Sequence, residues 1–157
     1  MKEKILEAFR ELGFKLEEEE GMGYCFNYEG LNLLYMYNEN DEEFLNIALP
    51  GIVEVEDDKM LQICALLEKI NSTLKYIKAY MLGNSVWLFY ERELFGEEDL
   101  MTVISRMILH LEAGLVFARK AMAEIEETMA NDSSNDDTAE SAEEIVTEEI
   151  ADDEDNE

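Results

Sequence analysis

The chain has 157 residues, enough for one domain with a sizeable buried core, and 47% of them are hydrophobic, as in ordinary globular proteins. Thirty-nine Asp and Glu against twelve Lys and Arg give a formal net charge of −27. So acidic a surface repels phosphate. Nucleic acid and anionic membranes are thereby excluded as expected partners, and basic or amphipathic protein segments are favoured.

The N-terminal "MKEKILEAFRELGF" carries Ile5, Phe9 and Leu12 on one helical stripe, and the helix is expected over about Lys2–Leu12, ending at Gly13. The segment has neither the apolar h-region nor the small-residue cleavage site of a signal peptide. No uninterrupted apolar run approaches the ~20 residues of a membrane span. Cys25 and Cys64 match no metal or redox spacing, so a cytoplasmic protein with reduced thiols is expected.

After the Glu17–Glu20 run and a Gly-Met-Gly turn, "YCFNYEGLNLLYMYN" reads as a hairpin about Glu29-Gly30. A two-residue loop pairs Tyr28 with Leu31, Phe26 with Leu33 and Tyr24 with Tyr35. Those six share one face, and Cys25, Asn27, Asn32 and Leu34 take the other. In the third strand, "EFLNIALPGIVEV", Leu45, Ile47 and Leu49 alternate against Phe44, Asn46 and Ala48, and Pro50-Gly51 marks a bulge or an edge. A second helix is expected from Asp57-Asp58 to about Asn71, burying Met60, Ile63, Leu67 and Ile70.

"KYIKAYMLGNSVWLFYERELFG" is a second hairpin turning at Gly83-Asn84. Its register puts Ile77, Ala79, Met81, Val86, Leu88 and Tyr90 on a plain core face, assigned to the helices. The other face carries Tyr76, Lys78, Tyr80, Trp87, Phe89 and Glu91, rings mixed with charges. Tyr and Trp are enriched at interface centres, and several such rings left bare exceed the usual apolar patch of a monomer. Cover from elsewhere in the chain would make these central strands with two buried sides. With three helices available and one face already assigned, cover by another polypeptide is the expectation, most simply a second copy.

A last helix follows Gly96. Leu100, Ile104, Met107, Leu111, Leu115, Ala118, Met122 and Ile125 recur every three or four positions. From Asn131 on, thirteen acidic residues stand with no basic one, leaving 39 − 13 = 26 acids and 12 bases, a net −14, on the preceding body. The division is therefore one α+β domain over residues 1–130 and an acidic tail over 131–157 with the composition of disorder. Within that tail, Ser141 and Glu144 match a capping box ahead of Ile145, Val146 and Ile150, the alternative being a motif that folds on a partner.

No catalytic constellation emerges. His110 is the sole histidine and reads as a helix surface or packing residue. Cys64, beside Ile63 and Ala65–Leu67, reads as a small buried apolar group. Gly21–Gly23 precedes a strand, whereas a phosphate-binding loop follows one. Asp152, Asp153 and Asp155 lack the glycine and terminal Glu of a calcium loop. No enzyme, cofactor or metal site is expected.

Three stretches carry a family resemblance: "VEVEDDKMLQICALLEKINSTL", the join "INSTLKYIKAYM", and "GNSVWLFYERELFGEEDLMTVISRMI". With the helix, three strands, helix, hairpin, helix order, this pattern resembles the type III secretion chaperone fold and, within it, the YbjN-like family of bacterial sensory-transduction regulators, over about Met1 to Met122. The resemblance implies an antiparallel sheet with helices, and a small, acidic, dimeric protein-binding module without catalytic residues. The acidic tail departs from an ordinary secretion chaperone. The expected function is thus a chaperone-like or regulatory adaptor that contacts itself or a basic segment through Tyr76, Lys78, Tyr80, Trp87 and Phe89, extended by Tyr24, Phe26 and Tyr35. A small-molecule sensor with a pocket between the last helix and the sheet is the alternative.

Overall fold

The first helix, α1 (Lys2–Glu11), buries Ile5, Leu6, Ala8 and Phe9 and stops where Gly13 takes φ +87°, a conformation that ordinary residues avoid. The computed structural model describes the backbone of residues 1–151 and the side chains of residues 1–132. The capping box at Ser141, its apolar neighbours and the aspartates from Asp152 on concern side chains outside that described set.

A short strand that the pattern does not predict follows, β1 (Glu17–Glu19). It turns back through Met22, whose N–H donates to the Glu19 carbonyl, into β2 (Gly23–Tyr28). The hairpin to β3 (Leu31–Met36) has the expected register, with Tyr24 opposite Tyr35 and Phe26 opposite Leu33. Glu29 and Gly30 both have positive φ, 47° and 83°, as a type I′ turn requires.

The long strand β4 (Phe44–Glu54) pairs with β3 from Asn46 to Ala48. Its register slips between Leu49 and Val53, around Pro50-Gly51, where the bulge is expected. A 3-10 turn at Asp57–Lys59 leads into α2 (Met60–Thr73), which buries Ile63, Leu66 and Ile70. The hairpin of β5 (Ile77–Leu82) and β6 (Ser85–Glu93) then adds to the free side of β4, giving an antiparallel sheet in the order β1-β2-β3-β4-β6-β5.

The last helix is α3 (Leu100–Ala151). Asp99 caps its start: one carboxylate oxygen accepts from the Thr102 N–H at 3.4 Å, the other from its hydroxyl at 2.7 Å. Over Leu100–Asp132, α3 is long and apolar enough by length and composition to cross a membrane, a feature hidden from a count of uninterrupted apolar residues. Ile104, Met107, Ile108, Leu111, Leu115 and Ala118 nevertheless form a wall of the buried core.

All three helices lie on one side of the sheet. Their buried residues join Phe26, Leu33, Tyr35, Leu45, Ile47, Leu49, Ile77, Ala79, Val86, Leu88 and Tyr90 in a single cluster. A second cluster, Leu34, Ala48 and Phe89 with Cys25, Met36 and Trp87 around it, sits on the opposite side and contains no helix residue. The architecture is α+β, in the order α-ββββ-α-ββ-α.

Candidate functional site: the uncovered sheet face

Strand alternation builds the second face from residues that pair across the sheet. One row runs Glu17, Cys25, Leu34, Ala48, Phe89, Lys78, and the next runs Gly23, Met36, Asn46, Glu91. Phe89 is fully shielded although no helix reaches it. Its ring stacks on Tyr80 at 4.1 Å and 2° and on Trp87 at 6.0 Å and 16°, with Leu34 and Ala48 in the same cluster. Tyr80 stays 41% exposed, so a flat aromatic surface remains open above the sheet. The Trp87 indole N–H donates to the Ser85 hydroxyl at 3.0 Å, leaving the indole polar edge satisfied.

Beside the rings lies a charged group. The Lys78 ammonium pairs with the Glu91 carboxylate, whose other oxygen accepts from the Asn46 amide at 3.1 Å. The Lys78 hydrogen bond to Glu91, followed by that carboxylate's charge, holds the Lys78 pKa above its ordinary value. Burial, followed by the Glu91 charge, raises that of Tyr80. At this end of the face a recess of about 370 Å³ opens between the β1–β2 turn and the β3–β4 loop. Met22, Met36 and Phe44 supply apolar walls, Asp41 and Glu91 carboxylates, and no Lys, Arg or His lines it. The Asn46 side-chain oxygen is buried there without a hydrogen-bond partner.

Of the residues expected to share this surface, Lys78, Tyr80, Trp87 and Phe89 do so and four do not. Tyr76 precedes β5 and has φ +69°, which breaks the alternation and turns its ring to the helix side. There it stacks on Tyr90 at 5.6 Å and meets His110 edge-on at 5.8 Å. Tyr24, Phe26 and Tyr35 lie beneath α1, where Phe9 is 4.9 Å from Phe26 and 5.6 Å from Tyr35, ring centre to ring centre. Lys2 reaches over Tyr24 at 5.3 Å and over Tyr37 at 4.4 Å. Those rings belong to the core and its rim.

His110 is exposed on α3, its Nδ1–H donating to the Arg106 carbonyl at 2.7 Å. Cys64 is exposed instead of buried, because α2 turns Ile63 and Leu66 inward and position 64 outward. Cys25 is half-buried on the open face, and burial, then the charges of Glu19 and Glu17, pushes its thiol pKa up, away from reactivity. Among the described residues no group of three His, Cys, Asp or Glu is placed to hold a metal ion. Sequence reading places Lys78 and Glu91 on this face but misses that Asn46 joins them. The signal for it is an amide set among apolar residues in mid-strand.

No family model and no curated protein sequence matches this chain. Among solved structures, the crystal structure of YbjN from E. coli, described as a candidate transcription regulator, is similar with a TM-score of 0.59 and 13% sequence identity. The match covers 76% of this chain and 92% of that one. At that identity the likeness concerns the fold, and the fold of this chain is YbjN-like.

Proposed function

We propose that the protein is a non-enzymatic, homodimeric protein-binding module, acting as a chaperone-like or regulatory adaptor in a bacterial cytoplasm. The observation that carries this reading is the Tyr80–Phe89–Trp87 stack on a sheet face that none of the three helices covers. Apolar side chains of a second copy, or of a partner segment, lie on the stack. A cationic side chain with an apolar stem enters the neighbouring recess, where Met22, Met36 and Phe44 meet the carboxylates of Asp41 and Glu91. The net charge of −27 draws basic segments in from a distance and turns phosphate away. YbjN's description as a candidate transcription regulator supports a regulatory role, and the acidity directs that role to contacts with protein.

Trp87→Ala tests the reading. Hot-spot aromatic truncations cost ~2 kcal/mol or more, so self-association, or capture of a basic amphipathic peptide, weakens by roughly thirtyfold. Circular dichroism stays that of the wild type. Sedimentation equilibrium that finds the same mass distribution and the same peptide binding removes the interface from this face.

A second reading rests on a recess of about 300 Å³ between α3 and the sheet, lined by Leu12, Phe14, Tyr28, Ser105, Ile108 and Leu109. An apolar small molecule held there raises the melting temperature by mass action, and a thermal-shift screen separates the two readings.

A further inference from the structure

The join between α2 and β5 contains a contact that the sheet-face reading does not use. β5 is the last strand of the sheet, so one of its edges has no neighbouring strand. In an antiparallel pair, alternate residues turn both main-chain groups away from the partner. The two-residue turn at Gly83-Asn84 makes Leu82 and Ser85, Tyr80 and Trp87, and Lys78 and Phe89 the hydrogen-bonded pairs. Ile77, Ala79 and Met81 therefore present their N–H and C=O along the free edge. At the middle of that edge stands Asn71, from the last turn of α2. Its side-chain oxygen accepts from the Ala79 N–H at 2.8 Å, and its amide donates to the Ala79 carbonyl at 2.8 Å. A side-chain amide thus makes both bonds that a further strand would make.

We infer that Asn71 guards the β5 edge and that, without it, β5 becomes a strand-addition surface for a second copy of this chain. Exposed strand edges recruit other strands unless something blocks them. The opposite edge, β1, is three residues long and consists of Glu17, Glu18 and Glu19, whose like charges oppose pairing. β5 has no such protection, because Lys78 is its sole charge. It is also complementary to itself. An antiparallel β5–β5 pair centred on Ala79 sets Ile77 against Met81 of the second copy on one side, and Lys78 against the Tyr80 ring on the other. The small Ala79 side chain leaves room at the centre. Among the described residues, Asn71 occupies that central position.

Hydrogen exchange and sedimentation test the assignment, in a Trp87→Ser background so that sheet-face association supplies no signal. In the parent protein the Ala79 amide exchanges about tenfold or more slowly than that of Met81, which lies two residues along the same edge. Asn71→Ala accelerates exchange at Ala79 in dilute protein by roughly tenfold. As concentration rises it produces a dimer, in which the Ala79 amide is protected again. Adding Met81→Pro to Asn71→Ala abolishes that dimer, since it removes an outward N–H and leaves the bonds to β6 intact. Asn71→Asp keeps the acceptor for the Ala79 N–H and sets a carboxylate against the edge carbonyl, so it stays undimerised. Equal exchange at Ala79 and Met81 in the parent overturns the assignment. So does an Asn71→Ala chain that sediments as the parent does, or one whose dimer survives Met81→Pro.

Discussion

Phe89→Ala distinguishes an open sheet face from one packed within the monomer. Phe89 is 0% exposed, yet its cover consists of two stacked rings, one of which, Tyr80, is 41% exposed. Removing a buried Phe side chain costs ~3–5 kcal/mol when the cavity persists. Here Tyr80 and Trp87 can tilt toward the sheet and water can follow, so the loss falls at or below the lower end, about 2–3 kcal/mol. Phe9 provides the reference. It is equally buried, but its ring is held among Phe14, Phe26 and Tyr35 at 6.1, 4.9 and 5.6 Å, beneath a helix that cannot collapse. Phe9→Ala is therefore expected to cost about 4–5 kcal/mol. Urea unfolding in dilute protein measures both, and the expected difference is about 2 kcal/mol. With the proposed self-association, raising the protein concentration is expected to stabilise the wild type and to enlarge the deficit of the Phe89 variant. If Phe89→Ala costs as much as Phe9→Ala in dilute protein, with no dependence on concentration, the face is closed within one chain and is no docking surface.

Gly23→Ala should be among the most damaging single changes. Gly23 has φ +141°, and an added Cβ would lie 2.0 Å from the Tyr35 carbonyl oxygen across the β2–β3 ladder. A loss of at least ~3 kcal/mol in thermal or urea unfolding is expected, with the β1–β2 end of the sheet exchanging fastest. The acid limb of stability should depend on Glu98 and Asp99. The Glu98 carboxylate accepts from the Phe95 and Gly96 N–H groups at 2.8 and 2.9 Å, and the Phe95 bond is the main cause of its lowered pKa. The Thr102 hydroxyl, then the Thr102 N–H, do the same for Asp99. Both groups favour the ionised form in the folded chain. The stability they lend is present above the ordinary carboxylate range and is lost as pH falls through and below it. Melting curves from about pH 6 to about pH 3 should fall less steeply in Glu98→Gln than in the wild type, and parallel curves would remove Glu98 from the account.

The hairpin registers are legible in the sequence because Glu29-Gly30 and Gly83-Asn84 are turn pairs that leave one choice of partner for each flanking residue. The bulge is legible because Pro50 has no N–H to give a ladder and Gly51, at φ +65°, accepts the bend. β1 is hidden, since three consecutive glutamates show no alternation and take strand form through pairing with Gly23–Cys25. Which face of the first hairpin the helices take is also hidden. Phe26, Leu33 and Tyr35 suit a core and an interface equally well, and the docking of Phe9 decides between them. Tyr76 shows the limit of period-two reading: a single positive φ just outside the strand sends its ring to the other side. Lys78, Tyr80, Trp87 and Phe89, all inside regular pairing, lie on the side that alternation gives them.

The β4–β6 ladder governs how the chain assembles. Its partners lie 31 positions apart, at Glu54 and Ser85, to 49 positions apart, at Phe44 and Glu93. β1 to β4 can zip from local turns, but β4 keeps a bare edge until α2, β5 and β6 have left the ribosome. Closing that gap requires a long loop to form before its reward arrives, which marks it as the slow event of folding. Until then Leu45, Ile47 and Leu49 sit on a strand with one open edge, the part of the nascent protein most prone to aggregate.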